Sequence, residues 1–165
     1  HKDFVFIKDN RKLTTLRMFI TFLCRLFPNL QNLVIFYTKK NFDVNTLFHL
    51  LDQFKLTTLA LHIDFPKCQS AALCDRINSM HSLRQLLLDR VIEMTVPHLF
   101  PALARLERFA FQPSNDASVV FQHLGANCTR LWYDAALFDG TVLNILCENV
   151  TNLQYLAVNF KLVRN

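Results

Sequence analysis

FPNLQNLVIF, Phe27 to Phe36, ends one pattern of apolar residues and begins another. The Pro-Asn pair is typical of a turn after a helix, and the β-branched and aromatic residues that follow are typical of a strand. Leu30, Leu33 and Ile35 also match the template L-x-x-L-x-L. The stretch therefore predicts a helix-to-strand junction, and the same junction should recur if it belongs to a repeat.

The template recurs along the whole chain. Its seven successive matches are separated by 22 to 29 residues, and their fourth positions are Phe4, Leu33, Leu59, Leu86, Phe109, Leu131 and Leu156. A single match carries little information in a chain that is 52% hydrophobic. The regular spacing is what indicates a repeat, of which FPNLQNLVIF is one unit.

The segments between the matches are predicted to be helical. The first has an apolar stripe at helical spacing, formed by Leu16, Phe19, Ile20, Leu23 and Phe27. Three later segments begin with residues that favour a helix N-terminus, namely Ser70, Asp116 and Asp139. Between Thr95 and Leu103, two prolines predict only a short helix or a 3-10 turn.

Strands that alternate with helices at this period are typical of leucine-rich repeats. We therefore predict an α/β fold, a leucine-rich-repeat solenoid (horseshoe) of about seven irregular strand-helix repeats. Its parallel sheet would lie on the concave face and its helices on the convex face. No linker-like stretch divides the chain, so residues 1–165 are predicted to form one domain. Because the first residue is His1, we expect a fragment of a longer chain.

Two stretches, FLCRLFPNLQNLVIF and ILCENVTNLQYLAV, resemble the repeats of F-box and leucine-rich-repeat proteins. In those repeats a helix with a Leu-Cys pair leads through a Pro-Asn-Leu turn into the strand. The resemblance implies the substrate-recognition module of an SCF-type ubiquitin ligase, joined to the ligase adaptor by an F-box outside this stretch of chain. It also implies that the chain is not an enzyme, because other subunits of such a ligase carry the ubiquitin chemistry.

The alternation of strand residues predicts where a partner would bind. The third, fifth and seventh positions of each repeat should lie on the sheet face that the helices leave bare. The fifth positions are mostly apolar and the flanking ones mostly polar, as in a protein-binding surface with an apolar centre and a polar rim. The candidate partner-binding residues are Asp89, Arg108, Gln112, Arg130, Trp132, Asp134 and Tyr155.

Trp132 is the predicted anchor of this surface, because tryptophan and arginine often dominate binding energy. It is the single tryptophan of the chain and has Arg130 and Asp134 two residues away on either side. The alternative is a register displaced by one residue, in which Trp132 is core and Tyr133 is exposed.

Several classes of site are not predicted. The net charge of +5 comes from the first forty residues and forms no dense basic run, so we expect no nucleic-acid partner. No uncharged apolar run is long enough for a membrane span. The six histidines are scattered, the five cysteines show no C-x-x-C spacing, and two glycines leave little material for a phosphate loop. We therefore predict no metal, no cofactor and no catalytic residue.

Cysteine usage favours a reducing compartment, cytoplasmic or nuclear. Two alternatives to the ligase role remain open. An intracellular scaffold or adaptor unrelated to ubiquitin would have the same fold and the same binding face. An extracellular recognition domain would instead have paired cysteines and glycans at the sequons that begin at Asn127 and Asn149.

Overall fold

Strands and helices alternate along the chain. The computed structural model describes residues 4–8, 13–37, 44–63, 70–89, 100–111, 118–135 and 140–160. The strands are β1 (Phe4–Lys8), β2 (Asn32–Tyr37), β3 (Thr58–Ile63), β4 (Gln85–Asp89), β5 (Arg108–Phe111), β6 (Arg130–Ala135) and β7 (Tyr155–Phe160). The helices are α1 (Leu13–Leu26), α2 (Val44–Gln53), α3 (Ser70–Ser79), α4 (Phe100–Leu103), α5 (Ser118–His123) and α6 (Gly140–Asn149).

The strands of the described ranges form one seven-stranded sheet. Their order in space is their order in the chain, and every neighbouring pair is parallel. A parallel neighbour requires a crossover connection, and the intervening helices supply it. The predicted α/β class with a parallel sheet is confirmed.

The helices lie in one layer against one face of this sheet. Consecutive helices contact each other in chain order, and buried residues of strands and helices belong to one hydrophobic cluster. Burial alternates along β3, where Leu59, Leu61 and Ile63 are fully buried and the residues between them are not. We call the buried side the covered face and the side with the third, fifth and seventh positions the open face.

Aromatic rings fill the covered face beneath β5 and β6. Phe111 packs edge-on against Phe121 of α5, with ring centroids 6.3 Å apart, and lies 5.1 Å from the Tyr133 ring. Phe121 and Tyr133 meet at 5.4 Å. Large rings add much buried apolar area at a small cost in rotamer entropy, so this cluster stabilises the junction of the two strands with α5.

A ladder of backbone hydrogen bonds fixes the register from β2 to β7. The amides of Thr57 and Thr58 donate to the carbonyl of Gln31 at 2.8 and 3.0 Å. The same pair of hydrogen bonds, from two consecutive amides to one carbonyl oxygen, joins each later pair of neighbouring loops. The accepting carbonyls are those of Thr57, Arg84, Glu107 and Thr129. Because equivalent atoms are joined each time, third positions align with third positions along this part of the sheet.

The β1 strand departs from the predicted alignment by one residue. The sequence pattern predicts Phe4 opposite Leu33, but the backbone pairs Phe4 with Asn32 and Val5 with Leu33. In consequence Phe4, Phe6 and Lys8, rather than Asp3, Val5 and Ile7, share the register positions of the open-face columns. The run FVFI is apolar at every position, so its pattern specifies no register.

The helix boundaries agree with the sequence signals where they are described. Helix α3 begins at Ser70. Helix α4 is a single turn that contains Pro101, in agreement with the short helix that the prolines predict. Asp116 and Asp139 lie outside the described residues. Among the described helices, none has the length and apolar character required to cross a membrane.

Arg105 ties the ends of two helices together. Its guanidinium donates hydrogen bonds to the carbonyls of Ile77, Asn78 and Met80 at 2.9, 2.9 and 3.1 Å, and to that of Pro101 at 2.9 Å. Burial, and then the nearby charge of Arg84, lower the pKa of Arg105. The side chain satisfies carbonyls at the end of α3 that have no partner within the helix.

Candidate functional site

The open face carries the predicted columns from β2 to β7. Successive third positions are paired across the strands as Asn32, Thr58, Gln85, Arg108, Arg130 and Tyr155. Successive fifth positions are Val34, Ala60, Leu87, Ala110, Trp132 and Ala157. The two columns lie two residues apart along each strand, which is about 6.6 Å.

A groove of about 450 Å³ runs along these two columns from β3 to the start of β7. Third positions supply a polar side, which includes Arg108, Arg130 and Tyr155. Fifth positions supply an apolar side, where Ala60, Leu87, Ala110 and Trp132 follow one another. The volume is within the range of ligand-binding clefts, and the mixture of an apolar floor with a few polar groups is typical of them.

Trp132 lies on the open face and Tyr133 on the covered face. Trp132 is 36% exposed, whereas Tyr133 is 2% exposed and packs against Phe111 and Phe121. The register with Trp132 outside is therefore correct, and the alternative with Tyr133 outside is wrong. The indole ring of Trp132 is partly exposed on the open face, whereas the phenol ring of Tyr133 packs in the core.

Arg108 and Arg130 are direct neighbours across β5 and β6. Both are exposed and both line the groove. Two like charges on neighbouring strands, about 4.8 Å apart at the backbone, repel each other. The pair thus concentrates positive charge on one side of the groove.

The seventh positions of β2, β3 and β4 form a linked row. The rings of Phe36 and His62 stack with centroids 3.9 Å apart and an angle of 6° between planes. His62 Nδ1 lies 2.5 Å from Asp89 Oδ2, a hydrogen bond that becomes an ion pair when the imidazole is protonated. His62 was not among the candidate residues, although its pairing opposite Asp89 in the register was the signal that could have found it.

The seven candidate residues are only partly brought together. Four of them line the groove: Arg108, Arg130, Trp132 and Tyr155. Asp89 and Asp134 lie on the same face at seventh positions, beyond the groove lining. Gln112 lies outside the described residues. Leu87, which was not a candidate, lines the groove and is 39% exposed.

The cysteines of the described ranges are free thiols at Cys24, Cys74, Cys128 and Cys147. Burial, and then the charge of Asp75, raise the pKa of the Cys74 thiol to about 12. Burial raises the pKa of the Cys128 thiol to about 11. These two side chains are protonated core residues at neutral pH. Within the same ranges, no three His, Cys, Asp or Glu residues cluster as they would to hold a metal ion.

Comparison of the chain with protein-family models and with curated proteins gives no match.

Proposed function

We propose that the chain is a protein-binding leucine-rich-repeat solenoid, curved so that the open face is concave, and that the groove on this face holds the partner. The observation that carries the proposal is the exposed Trp132 in a groove with an apolar floor and an arginine rim. Exposed large apolar residues that are contiguous and bordered by polar ones mark interaction surfaces. Tryptophan and arginine are the side chains that most often dominate such surfaces.

The repeat assignment is supported by the alternation of strand and helix and by the backbone ladder between successive loops. In a solenoid each unit contacts mainly its neighbours, and the sheet order, which equals the chain order, is consistent with that. The proposed role needs no catalytic residue in this chain.

The more specific proposal is substrate recognition for an SCF-type ubiquitin ligase. It rests on the resemblance of FLCRLFPNLQNLVIF and ILCENVTNLQYLAV to repeats of F-box and leucine-rich-repeat proteins. The groove would hold the protein to be ubiquitinated, and an F-box elsewhere in the full-length protein would hold the ligase adaptor. An intracellular scaffold with the same groove and no ligase link is the second candidate.

Photocrosslinking from inside the groove tests the binding proposal. A photoreactive phenylalanine derivative at Leu87 should capture a partner that the same derivative at Leu143, an exposed residue of α6, does not capture. Trp132→Ala should weaken binding of that partner by about 2 kcal/mol or more, as expected for a hot-spot residue. Equal capture from both positions, or unchanged affinity in Trp132→Ala, would contradict binding at the groove.

Co-purification of the full-length protein tests the ligase proposal. The ligase adaptor and cullin should purify with it, and Trp132→Ala should retain them while losing the partner captured at the groove. The partner should then be longer-lived in cells that express Trp132→Ala. Recovery of the partner without adaptor or cullin would favour the scaffold.

A further inference from the structure

We infer that the groove takes an extended acidic peptide, with a carboxylate held between Arg108 and Arg130 and an apolar side chain seated over Ala110 between Leu87 and Trp132. The inference rests on the proposed protein-binding function and names the chemistry of the partner. The argument draws on the charge of the groove lining, the position of the acidic groups around it and the shape of its apolar side.

The charge of the groove lining is uniformly positive. Arg108 and Arg130 are its only ionisable groups at neutral pH besides the weakly acidic phenol of Tyr155. Among the described residues, neither guanidinium makes an ion pair with a carboxylate. Two unneutralised guanidinium groups side by side present donors in the fork geometry that binds a carboxylate.

Two acidic residues close in the chain to groove-lining residues have other contacts. Glu107 precedes Arg108 in the chain, yet its Oε1 lies 4.0 Å from Nε of Arg84, outside the groove. Asp89 accepts the hydrogen bond of His62 at the far end of the strands. Within the described ranges, therefore, no carboxylate pairs with Arg108 or Arg130, which favours an acidic ligand by charge complementarity.

The apolar side of the groove has a recess for one side chain. Along the fifth positions a large and a small residue alternate as Leu87, Ala110 and Trp132. Leu87 and Trp132 stand two strands apart, about 10 Å, with only the methyl group of Ala110 between them. In the proposed complex, a leucine or aromatic side chain of the ligand lies over Ala110 and contacts Leu87 and Trp132.

The distance between the recess and the arginine pair fits an extended peptide. Arg108 precedes Ala110 by two residues on β5, about 6.6 Å, and an extended peptide repeats its side chains on one face at the same interval. An acidic residue two positions from an apolar residue can therefore occupy both places at once.

A peptide accounts for the groove better than a single-stranded nucleic acid does. Nucleic-acid grooves carry basic residues along the path of the phosphates. Among the residues that line this groove, the cations are confined to the third positions of β5 and β6, and the lining on either side of them at Gln85 and Tyr155 adds no further cation for a row of phosphates.

Selection of random dodecapeptides displayed on phage against the full-length protein tests the inference. Peptides that bind the wild type and not Trp132→Ala should be enriched in Asp or Glu two positions from an apolar residue. Trp132-dependent peptides without acidic enrichment would overturn the acidic-peptide inference and leave the protein-binding proposal intact. If no Trp132-dependent peptide emerges, the peptide inference fails, and the crosslinking from Leu87 decides the protein-binding proposal.

Affinity measurements on a selected peptide complete the test. Arg108→Gln with Arg130→Gln should weaken binding by about tenfold or more, because charge-assisted hydrogen bonds are lost. The control, Arg25→Gln with Lys55→Gln, removes the same charge from exposed positions outside the groove and should leave affinity within about twofold.

Two further measurements need no variant. Raising NaCl from 50 to 500 mM should weaken wild-type binding of the selected peptide severalfold, because salt screens exposed charges. A salt-independent affinity would overturn the carboxylate contact. A labelled 15-nucleotide DNA strand of mixed sequence should bind far more weakly than the peptide, and equal or tighter binding of the strand would overturn the choice of a peptide.

Discussion

The two faces of the sheet are built from the same strands but differ in residue type and in burial. On the covered face of β3 to β6 the residues are large and apolar, mainly leucine and phenylalanine, and nearly all are buried. On the open face the same strands present threonine, glutamine, arginine, alanine, leucine and tryptophan. Adjacent residues such as Trp132 and Tyr133 therefore differ completely in environment.

This difference separates what stabilises the protein from what a partner would contact. Covered-face side chains pack at the density of an organic crystal, so each is constrained by its neighbours. Open-face side chains have few neighbours, and an arginine pair that costs stability through repulsion can be tolerated there. The fold thus leaves the open face free to vary in chemistry while the covered face remains apolar.

The largest expected difference in stability between the two faces concerns the adjacent aromatic residues of β6. Tyr133→Ala should lower the free energy of unfolding by about 3 to 5 kcal/mol, since it removes a buried ring that contacts Phe111 and Phe121. Trp132→Ala should lower it by about 1 kcal/mol, because the indole is largely on the open side. Urea unfolding measures both, and equal losses would show that the faces are not energetically distinct.

Two arginines provide the next test. Arg105→Gln should lower the free energy of unfolding by about 1.5 to 3 kcal/mol, because it leaves carbonyls at the ends of α3 and α4 without their charged donor. Arg130→Gln should leave it within about 0.5 kcal/mol, or raise it slightly by relieving the repulsion with Arg108. Chemical denaturation of both variants measures the difference. If Arg130→Gln lowered the free energy of unfolding as much as Arg105→Gln does, Arg130 would have a structural role and would not serve ligand binding alone.

The two glycines differ in the space that surrounds them, and alanine substitutions measure the difference. A Cβ at Gly125 would lie 2.4 Å from the carbonyl oxygen of Ala104, a backbone atom, so Gly125→Ala should lower the free energy of unfolding by about 1 to 3 kcal/mol. A Cβ at Gly140, where α6 begins, meets nothing within 4 Å, so Gly140→Ala should change it by less than about 1 kcal/mol. Thermal melts of the two variants give the comparison, and equal effects would mean that the Gly125 loop can move aside.

The sequence predicted most of the sheet. Its L-x-x-L-x-L spacing placed the strands, and from β2 to β7 it also placed the columns that the backbone ladder fixes. Patterning failed at β1, where four apolar residues in succession allowed a shift of one residue. It also gave Leu156 a core position, whereas this residue of the last described strand is 38% exposed because no further described strand packs beside it.

The candidate site was predicted less completely than the sheet. Arg108, Arg130, Trp132 and Tyr155 were identified because tryptophan, tyrosine and arginine in alternating positions are recognisable in a sequence. Leu87 was placed on the open face by the alternation but was not chosen as a candidate, because leucine dominates binding energy less often than tryptophan or arginine does. The contact of His62 with Asp89 depends on the rotamers of both side chains as well as on the register. A sequence pattern does not specify rotamers.

The sequence by itself determined the alternation of strand and helix and the face on which most strand residues lie. Both follow from hydrophobic periodicity, which is local: a side chain two residues along a strand returns to the same face. The spacing of the repeat also aligned the strands from β2 to β7, so that Arg108 and Arg130 are expected as neighbours. Only the tertiary structure decided which aligned side chains make contact, since that depends on rotamers and on packing between units. The hydrogen bond of His62 with Asp89, the groove along the two columns and the helix ends joined by Arg105 are of this kind.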